Sequence, residues 1–522
     1  MRVDTATPSG RHPWTRPGVL RIADTADPDH FNPLLSGMDL VEDLSSLVFS
    51  YLVIADGSGK LAGDLATQVP SLANGGISYD GKTYTYHLRR GVRWHDGVPF
   101  TARDVAFTWR AIVAPQNNVL HREGYTEVAR IDVPDERTVV VHLKRRYPPF
   151  VSQFFTTLQE GSKAVLPEHL LGGLGEINDA PFNQHPIGTG PFKFVKWERG
   201  RGIEFAANTD YFKGRPKLDK IEFRVIPDDD SILAAMQTHE VDMVASVSTT
   251  QYRRYAELDG VATRLFPWNA ANVFILNNTR PGLREVAVRQ AVAQAIDYRT
   301  IIDKVSHGVG LVAHDIVPPG ATGYADNAPY RYDPAAANAL LESAGWRRGA
   351  DGIRSKAGER LAFTMVLSSG SANARNIAIQ VQAFLRSVGI EMNLKTYPYN
   401  VIFSYDGPIQ KMTYDFANYS YTLPYDPDNI AYLGCDQRPP KGQNVFGYCD
   451  PQVDRGEHAG LETDDPLVRG AIYRSVSARI HATVPYIPLY VLRRPTAYNS
   501  DLKNYTASPA IASWWNAYQW QI

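Results

Sequence analysis

Apolar and polar residues alternate between positions 79 and 109 in a pattern that predicts a strand followed by a helix. Tyr84, Tyr86 and Leu88 fall on one face of the strand, because successive side chains of a strand point to opposite sides. An Asp-Gly dipeptide, which favours a tight turn, stands on each side of this strand. The segment is therefore predicted to have one apolar face.

The helix of this segment is predicted to begin after Thr101. Threonine is a common N-cap residue, and Asp104 stands where a capping box returns its hydrogen bond, although Glu or Gln is more usual there. Val105, Trp109 and Ile112 then recur at helical spacing and form one stripe.

The same rhythm of strands and helices continues along the chain and indicates an α/β fold. Apolar runs at 137–143 and 221–226 predict strands. Helical spacing predicts further helices at 228–237, 283–295, 334–344 and 373–388, and after Asp465-Pro466.

Composition narrows the classes of function. The chain has 522 residues, of which 44% are hydrophobic and 21% charged, and its formal net charge is −1. These values are ordinary for a soluble protein of two or three domains, and they do not indicate binding to nucleic acid or to an anionic membrane. No run of the sequence approaches the ~18 apolar residues of a membrane span. Residues 1–17 lack an apolar signal region and are predicted to be a loose tail.

The motifs of the sequence give little support for an enzyme. The 13 histidines are dispersed, and the sequence has neither a Gly-x-Ser-x-Gly nucleophile elbow nor a His-Glu-x-x-His zinc helix. His95 lies in a Trp-His-Asp-Gly turn and is assigned a structural role. The Gly-Thr-Gly-Pro run at 188–191 is too short for a phosphate loop and predicts a tight turn. We therefore predict a protein that is not an enzyme and has no cofactor and no metal site.

A series of segments, in order along the chain, resembles one known family. They are 79–109, 186–200, 208–244, 272–302, 332–346 and 487–490, which read in part PIGTGPFKFVKWERG, YDPAAANALLESAGW and IPLY. The chain resembles the extracytoplasmic solute-binding proteins of the peptide/nickel family (family 5), which serve ABC importers. This resemblance covers most of the chain. It implies an α/β fold of the large two-lobed periplasmic type, which closes around a small solute.

The resemblance also implies how the chain is divided. Lobe I is expected to have a core and an inserted subdomain, followed in the chain by lobe II. The expected ranges are 19–51, 185–265 and 487–522 for the core of lobe I, 52–184 for the inserted subdomain and 266–486 for lobe II. The chain would pass between the lobes near Pro267 and near Pro488, and two such segments make a hinge.

Arg375 is the sharpest candidate for ligand binding. It falls in the first turn of the helix predicted at 373–388, where a cation opposes the helix dipole and needs a negative partner. In dipeptide-binding members of the family, an arginine in a similar Asn-Ala-Arg segment binds the ligand carboxylate, a role that suits the guanidinium fork. A salt bridge to a protein carboxylate, or a solvated side chain, is the alternative.

Asp426 and Asp428, in the segment YDPDN, are candidates for binding the ammonium group of a ligand. The resemblance implies this role, because peptide-binding members of the family use an aspartate near this point. The preceding residues, YSYTLPY, lack an acidic residue that some relatives carry, which argues against an ordinary free peptide. Either aspartate is alternatively a turn former or a helix cap, since Asp-Pro favours turns.

Aromatic residues are dense around these aspartates and suit the wall of a cleft, since tyrosine combines an apolar face with a hydroxyl group. Tyr421 and Tyr425 are the candidates there, with core packing as the alternative. Trp268 and Asn269 lie at the first expected passage between lobes, and Met38 lies in the loop after the first strand. These three residues complete the predicted ligand site.

The two cysteines, Cys435 and Cys449, follow the YDPDN segment as a similar pair does in peptide-binding relatives, which implies a disulfide bond. Two free thiols are the alternative, and two cysteines without an adjacent histidine pair do not make a metal site. A disulfide would indicate an oxidising compartment.

The expected function is that of an exported receptor, in the periplasm or at the cell surface, that acts as a monomer and delivers a small solute to an ABC permease. A short peptide or peptide-like compound is the expected solute; an opine-like or sugar-containing conjugate or an oligosaccharide is the alternative. A cytoplasmic ligand sensor is less well supported because the sequence shows no basic helix-turn-helix segment, and a hydrolase stands third. No nucleic-acid partner is expected. The sequence leaves open the true N-terminus, a lipid anchor and the identity of the permease.

Overall fold

The computed structural model describes residues 10–158, 163–313, 317, 322–369, 371–402, 404, 406–422, 425–510 and 513–522. The chain forms two compact units. Unit 1 comprises the residues up to Trp268 together with Arg494–Ile522, and unit 2 comprises Asn269–Arg493. The chain thus passes between the units at 268–269 and at 493–494, whereas the sequence placed these passages near Pro267 and Pro488. The inserted subdomain at 52–184 remains a prediction.

Unit 1 contains strands of a mixed sheet and of smaller separate sheets. Its strands are β1 (Val19–Asp24), β2 (Val53–Ala55), β3 (Leu61–Gly63), β4 (Thr83–His87), β5 (Val128–Asp135), β6 (Thr138–Leu143), β7 (Phe192–Glu198), β8 (Gly202–Ala207), β9 (Lys220–Val225) and β10 (Met243–Val244). Its helices are α1 (Asp39–Val48), α2 (Ala102–Val113), α3 (Phe150–Gln153), α4 (Glu168–Leu171), α5 (Asp229–Gln237) and α6 (Tyr252–Ala256). β1 is parallel to both β10 and β9, while β9, β8 and β7 are antiparallel neighbours. β4, β6 and β5 form a separate antiparallel sheet.

The strand and helix predicted from the alternation of apolar residues are both present. Tyr84 and Tyr86 lie on β4 and are fully buried in the unit 1 core. Thr101 caps α2, and its backbone N–H donates to the Asp104 carboxylate at 2.8 Å, which completes the predicted capping box. Val105 buries the expected face of the helix. The sequence predicts this segment well because its capping and alternation signals are local.

His95 joins two segments of unit 1. Its Nδ1 accepts a hydrogen bond from the backbone N–H of Gly188 at 3.2 Å, and its Nε2 lies 3.0 Å from the carbonyl oxygen of Gly190. The neutral ring with its proton on Nε2 satisfies both contacts, whereas a protonated ring would turn Nδ1–H toward another donor. Gly188 and Gly190 lie so close to the Val48 backbone that a Cβ atom would not fit. Burial lowers the pKa of His95 to about 4.

This depressed pKa predicts that unit 1 loses stability in mild acid. The neutral His95 is favoured only in the folded state, so its contribution is complete above the usual histidine pKa and falls as the pH drops toward 4. Relative to His95→Gln, the wild-type protein is expected to lose about 2 kcal/mol of unfolding free energy between pH 7.5 and pH 5. Denaturant titrations of both proteins at several pH values measure this difference. A gap between the two proteins that does not change with pH would contradict it.

The N-terminal segment is not a loose tail throughout, which corrects the prediction made from its composition. The backbone N–H of His12 and the hydroxyl of Thr15 both donate to the Asp501 carboxylate at 2.7 Å. Trp14 stacks between the rings of His12 and His239, with centroid distances of 4.5 and 3.8 Å. These partners lie hundreds of positions away, so no local pattern could reveal them. Residues 1–9 lie outside the described part of the chain.

Unit 2 is built on the strands β16, β15, β17 and β11, which are hydrogen-bonded neighbours in that order. Its strands are β11 (Val261–Leu276, whose first part belongs to unit 1), β12 (Arg347–Arg348), β13 (Arg354–Lys356), β14 (Glu359–Arg360), β15 (Ala362–Ser368), β16 (Glu391–Tyr397) and β17 (Phe416–Thr422). Its helices are α7 (Val286–Ala295), α8 (Tyr298–Val305), α9 (Pro334–Ser343), α10 (Ala372–Ser387), α11 (Tyr399–Ile402), α12 (Ile430–Leu433), α13 (Pro451–Gly460) and α14 (Pro466–Thr483). β15 is parallel to β16 and to β17, and β11 is antiparallel to β17. Parallel neighbours need a crossover connection, which α10 supplies between β15 and β16.

The five predicted helices of the later chain are present as α5, α7, α9, α10 and α14, with ends that differ from the prediction by a few residues. Asp228, Asp333 and Asp465 cap α5, α9 and α14 through their side chains. The last strand, β18 (Tyr486–Asn499), carries the chain back to unit 1, where Ala497 pairs with Val244 of β10. None of the helices described here is both long and apolar enough to cross a membrane.

Candidate functional site

Most of the predicted ligand-binding residues lie at one edge of the unit 2 strands. β15 and β17 are parallel, so their carboxyl ends lie at the same edge. β15 leads into α10, which carries Arg375, and β17 leads into the segment 425–429. β11 runs antiparallel to β17 with Ala270 opposite Thr422, which puts Asn269 at this edge as well. In open α/β sheets the carboxyl ends of the strands are the usual place for a ligand.

Arg375 lies exposed in the first turn of α10. Ser371 caps the helix by accepting a hydrogen bond from the Ala374 N–H at 3.1 Å. Within the described part of the chain, Arg375 makes no side-chain hydrogen bond and no ion pair. A cation beside the positive end of a helix dipole is unfavourable, so an anion from solution would stabilise it.

Asp426 is paired with a protein cation, and its assignment to a ligand ammonium group is therefore corrected. Nη1 and Nη2 of Arg469 donate to its two carboxylate oxygens at 2.5 and 2.6 Å. The Arg469 and Asp426 side chains are 7% and 11% exposed, and Nε of Arg469 donates to the carbonyl oxygen of Gly460 at 2.9 Å. A buried bidentate pair of this kind fixes the segment around Asp426 and leaves its carboxylate committed to Arg469.

Asp428 is partly buried at the start of α12. Its Oδ1 accepts a hydrogen bond from the Ile430 N–H at 3.1 Å, which is the turn-forming role that the sequence left as an alternative. A carboxylate has about four lone-pair sites, so this bond does not by itself prevent a contact with a ligand. Asp428 thus remains a candidate.

Tyr421 lines an apolar pocket within unit 2. Its ring packs edge-to-face against Tyr432, with the centroids 5.2 Å apart. Besides these two tyrosines, the lining residues are Val273, Ile275, Asn429, Leu433, Phe446 and Tyr486. Burial raises the pKa of Tyr421 well above its usual value, so its hydroxyl stays neutral. Tyr425 is partly buried beside Asp426.

Asn269, the first residue of unit 2, is 5% exposed. Its amide nitrogen has no hydrogen-bond partner among the residues that the structure describes. A buried donor without an acceptor costs about 1–3 kcal/mol, so a carbonyl oxygen brought by a solute would be stabilised there.

The two remaining predicted residues, Met38 and Trp268, belong to unit 1. Met38 is partly buried and directly precedes α1. Trp268 is partly buried within β11, and the guanidinium carbon of Arg494 lies 5.3 Å from the centroid of its ring. Nη1 of Arg494 donates to Asp43 at 3.0 Å and to Ser513 at 2.6 Å. Desolvation raises the pKa of the buried Asp43, and Arg494 opposes that effect.

A disulfide bond joins Cys435 and Cys449, whose Cα atoms are 4.6 Å apart. The backbone N–H of Cys435 also donates to Asp454 on α13 at 2.8 Å. The bond therefore closes a loop directly after α12 and beside the aromatic pocket. No group of three or more His, Cys, Asp and Glu side chains in the described ranges is arranged to hold a metal ion.

Sequence reasoning missed Arg469, Glu457 and Arg494. Arg469 and Glu457 could have been found in the sequence, because each is a charged residue within a buried stripe at helical spacing. Arg469 precedes Tyr473 by four positions, and Glu457 follows Val453 by four. A charged residue on an apolar helical face calls for a buried partner. Arg494 lies in a strand without such a pattern, and only its tertiary contacts mark it.

The chain is similar to known proteins. The family model described as bacterial extracellular solute-binding proteins, family 5 (middle), matches residues 67–439. The chain belongs to this family. The family 5 protein is also 28% identical to the oligopeptide-binding protein AppA of Bacillus subtilis over 520 residues, which cover 96% of this chain and 92% of AppA.

Two solved structures resemble the family 5 protein along almost its whole length. NikZ from Campylobacter jejuni, in complex with Ni(L-His), has a TM-score of 0.75 and 27% identity, with 97% of this chain and 100% of NikZ covered. AppA from Bacillus subtilis, in complex with a nonapeptide, has a TM-score of 0.72 and 25% identity, with 97% and 99% covered. The expected family, the two-lobed α/β fold class and the role of an extracytoplasmic solute-binding protein for an ABC transporter are confirmed. The family consists of binding proteins of transporters and not of enzymes.

Proposed function

We propose that this family 5 protein captures a short peptide or a peptide-like compound and delivers it to an ABC permease. The observation that carries the proposal is the common strand edge of unit 2. At this edge lie Arg375 and Asn269, whose side-chain nitrogens have no partner among the described residues (Nδ2 in the case of Asn269), and the segment that contains Asp428.

The groups at this edge match the main chain of a peptide. Arg375 is the proposed partner of a terminal carboxylate, for which its guanidinium has no competing acceptor among the described residues. The Asn269 amide would donate to a peptide carbonyl, and Asp428 would accept from the terminal ammonium group. Tyr421 and Tyr425 supply apolar contact area. Trp268 and Met38, which belong to unit 1, stay predictions. Asp426 is not part of the proposal.

The relatives support a peptide as the first choice, because the names of AppA and its complex specify an oligopeptide and a nonapeptide. We further propose that the protein acts as a monomer in the periplasm or at the cell surface. Native mass spectrometry of the purified protein, before and after denaturation, identifies a bound solute by its mass. An opine-like conjugate, an oligosaccharide or a nickel chelate in place of a peptide would overturn the proposal.

Arg375→Ala is expected to weaken binding of a peptide with a free carboxyl terminus by about 10- to 100-fold. Hydrogen bonds to charged groups contribute roughly 1.5–3 kcal/mol, and about 1.4 kcal/mol corresponds to tenfold in affinity. The same peptide with an amidated terminus should bind wild type and variant almost equally. Isothermal titration calorimetry with both peptides measures the two losses.

Arg386→Ala is the matched control for this experiment. Arg386 is an exposed arginine near the other end of α10, so its loss removes the same charge and side chain from the same helix. Its affinity for both peptides should equal that of the wild type. An equal loss for the free acid and the amide in Arg375→Ala would contradict a carboxylate-binding role.

A further inference from the structure

A buried carboxyl group, Glu457, lies behind the segment 426–429. Glu457 is on α13 and its exposed fraction is 0%. Its Oε2 accepts a hydrogen bond from the backbone N–H of Asn429 at 3.0 Å. Its Oε1 has no hydrogen-bond partner among the described residues. The side chain thus holds the end of the segment that leads into the aromatic pocket, where Asn429 is a lining residue.

The surroundings of Glu457 do not compensate a negative charge. Asp426 and Asp428 on the segment, and Arg469 and Tyr473 on α14, are the charged and titratable groups that act on it. Arg469, the cation in this set, uses both of its terminal nitrogens on Asp426 and its Nε on a backbone carbonyl. Burying an ionised carboxylate without its own partner costs far more than burying the neutral acid.

The hydrogen bonding of this region also fits a neutral acid. A Cβ atom on Gly460 would lie 2.6 Å from the Tyr473 hydroxyl oxygen, so that hydroxyl packs one helical turn after Glu457. The Tyr473 hydroxyl and the Asn429 side-chain oxygen are buried and have no partner among the described residues. A protonated carboxyl group both accepts and donates, so it can hold the Asn429 N–H and still offer a donor to this region. Burial, followed by repulsion from Asp428, raises the pKa of Glu457 well above its usual value.

We infer that Glu457 is a positioning residue of the solute site, which holds the backbone of the segment 426–429 as a neutral carboxylic acid. The part of this inference that concerns the solute rests on the proposed function. The part that concerns the segment does not, so the two can fail separately.

Hydrogen–deuterium exchange of peptides that contain Asn429, corrected for the intrinsic exchange rate, tests the positioning directly. In the wild type, corrected exchange should be slow at pH 7. Glu457→Gln keeps a neutral acceptor and donor, so its exchange should stay within threefold of the wild type. Glu457→Ala should exchange at least tenfold faster than the wild type.

Asp454→Asn is the matched control, because Asp454 is an acid on the same helix that accepts a backbone N–H from Cys435 instead. Its exchange at Asn429 should follow that of the wild type. The inference is overturned if Glu457→Gln exchanges as fast as Glu457→Ala, or if Glu457→Ala keeps the protection of Asn429. Because Glu457→Gln is nearly isosteric, it keeps the test decisive even where the alanine variant folds poorly.

Calorimetry with trialanine tests the link to the solute site. Glu457→Ala should weaken binding at least tenfold at pH 7, while Glu457→Gln should stay within threefold of the wild type. An unchanged affinity in a Glu457→Ala protein whose segment exchanges faster would overturn the role in solute binding. If the wild type binds no trialanine or other short peptide, the proposed function fails, and the exchange experiment still decides whether Glu457 positions the segment.

Discussion

Replacing Arg469 by alanine is expected to destabilise unit 2 by about 3–5 kcal/mol, because it leaves the carboxylate of Asp426 buried without its cation. The variant also removes the hydrogen bond to the Gly460 carbonyl. Chemical denaturation followed by circular dichroism measures the loss as a lower midpoint of the unit 2 transition. The effect is large for a single residue because one side chain satisfies three buried acceptors.

Two further variants separate charge pairing from general damage to the helix. Arg474 is an exposed arginine on the same helix, so Arg474→Ala should change the midpoint little. A double variant, Asp426→Leu with Arg469→Met, removes both charges and should recover much of the stability. A double variant as unstable as Arg469→Ala alone would show that the loss does not come from an unpaired carboxylate.

Removing the disulfide bond is expected to cost about 3 kcal/mol, since it closes a loop of roughly 15 residues in the unfolded chain. Cys435→Ser with Cys449→Ser, or the wild type in a reducing agent, should both unfold at a lower denaturant concentration. The reducing agent should have no effect on the double serine variant, which serves as the control. Equal midpoints for the oxidised and reduced wild type would show that the loop is held by its packing alone, for which the buried Phe446 and Tyr448 are the candidates.

The two experiments bear on the same part of the molecule. The Asp426–Arg469 pair holds one end of the segment 426–429, and the Cys435–Cys449 bond closes the loop that follows α12. We therefore expect both losses of stability to be accompanied by weaker peptide binding, if the segment contacts the solute as proposed.

Much of the local structure could be predicted from the sequence. Thr101 and Asp104 predict the start of α2, because a helix cap needs only a few neighbouring residues. The aspartates before α5, α9 and α14 predict the starts of these helices for the same reason. The buried face of β4 follows from strict alternation. Family membership was also predictable, because the motifs that carry it are continuous segments of sequence.

The assignments within the site depended on contacts that no local pattern contains. Asp426 and Asp428 share one short segment, yet Asp426 pairs with Arg469, 43 positions away, and Asp428 forms a local turn before the next helix. The N-terminal segment looked loose from its prolines, but Asp501 holds it from the far end of the chain. Arg375 remained a candidate for the opposite reason, because the fold brought no carboxylate to it within the described residues.

By itself, the sequence determined the strands, helices and caps, the family and the set of residue types available for binding a solute. Only the tertiary structure decided which of those side chains are already paired and which are available to a ligand. The physical reason is that capping and amphipathic periodicity act over a few neighbouring residues. The pairing of Asp426 with Arg469 and the burial of Glu457 instead depend on contacts between segments that are far apart in the chain. The same is true of Arg375, to which the fold brings no partner among the described residues.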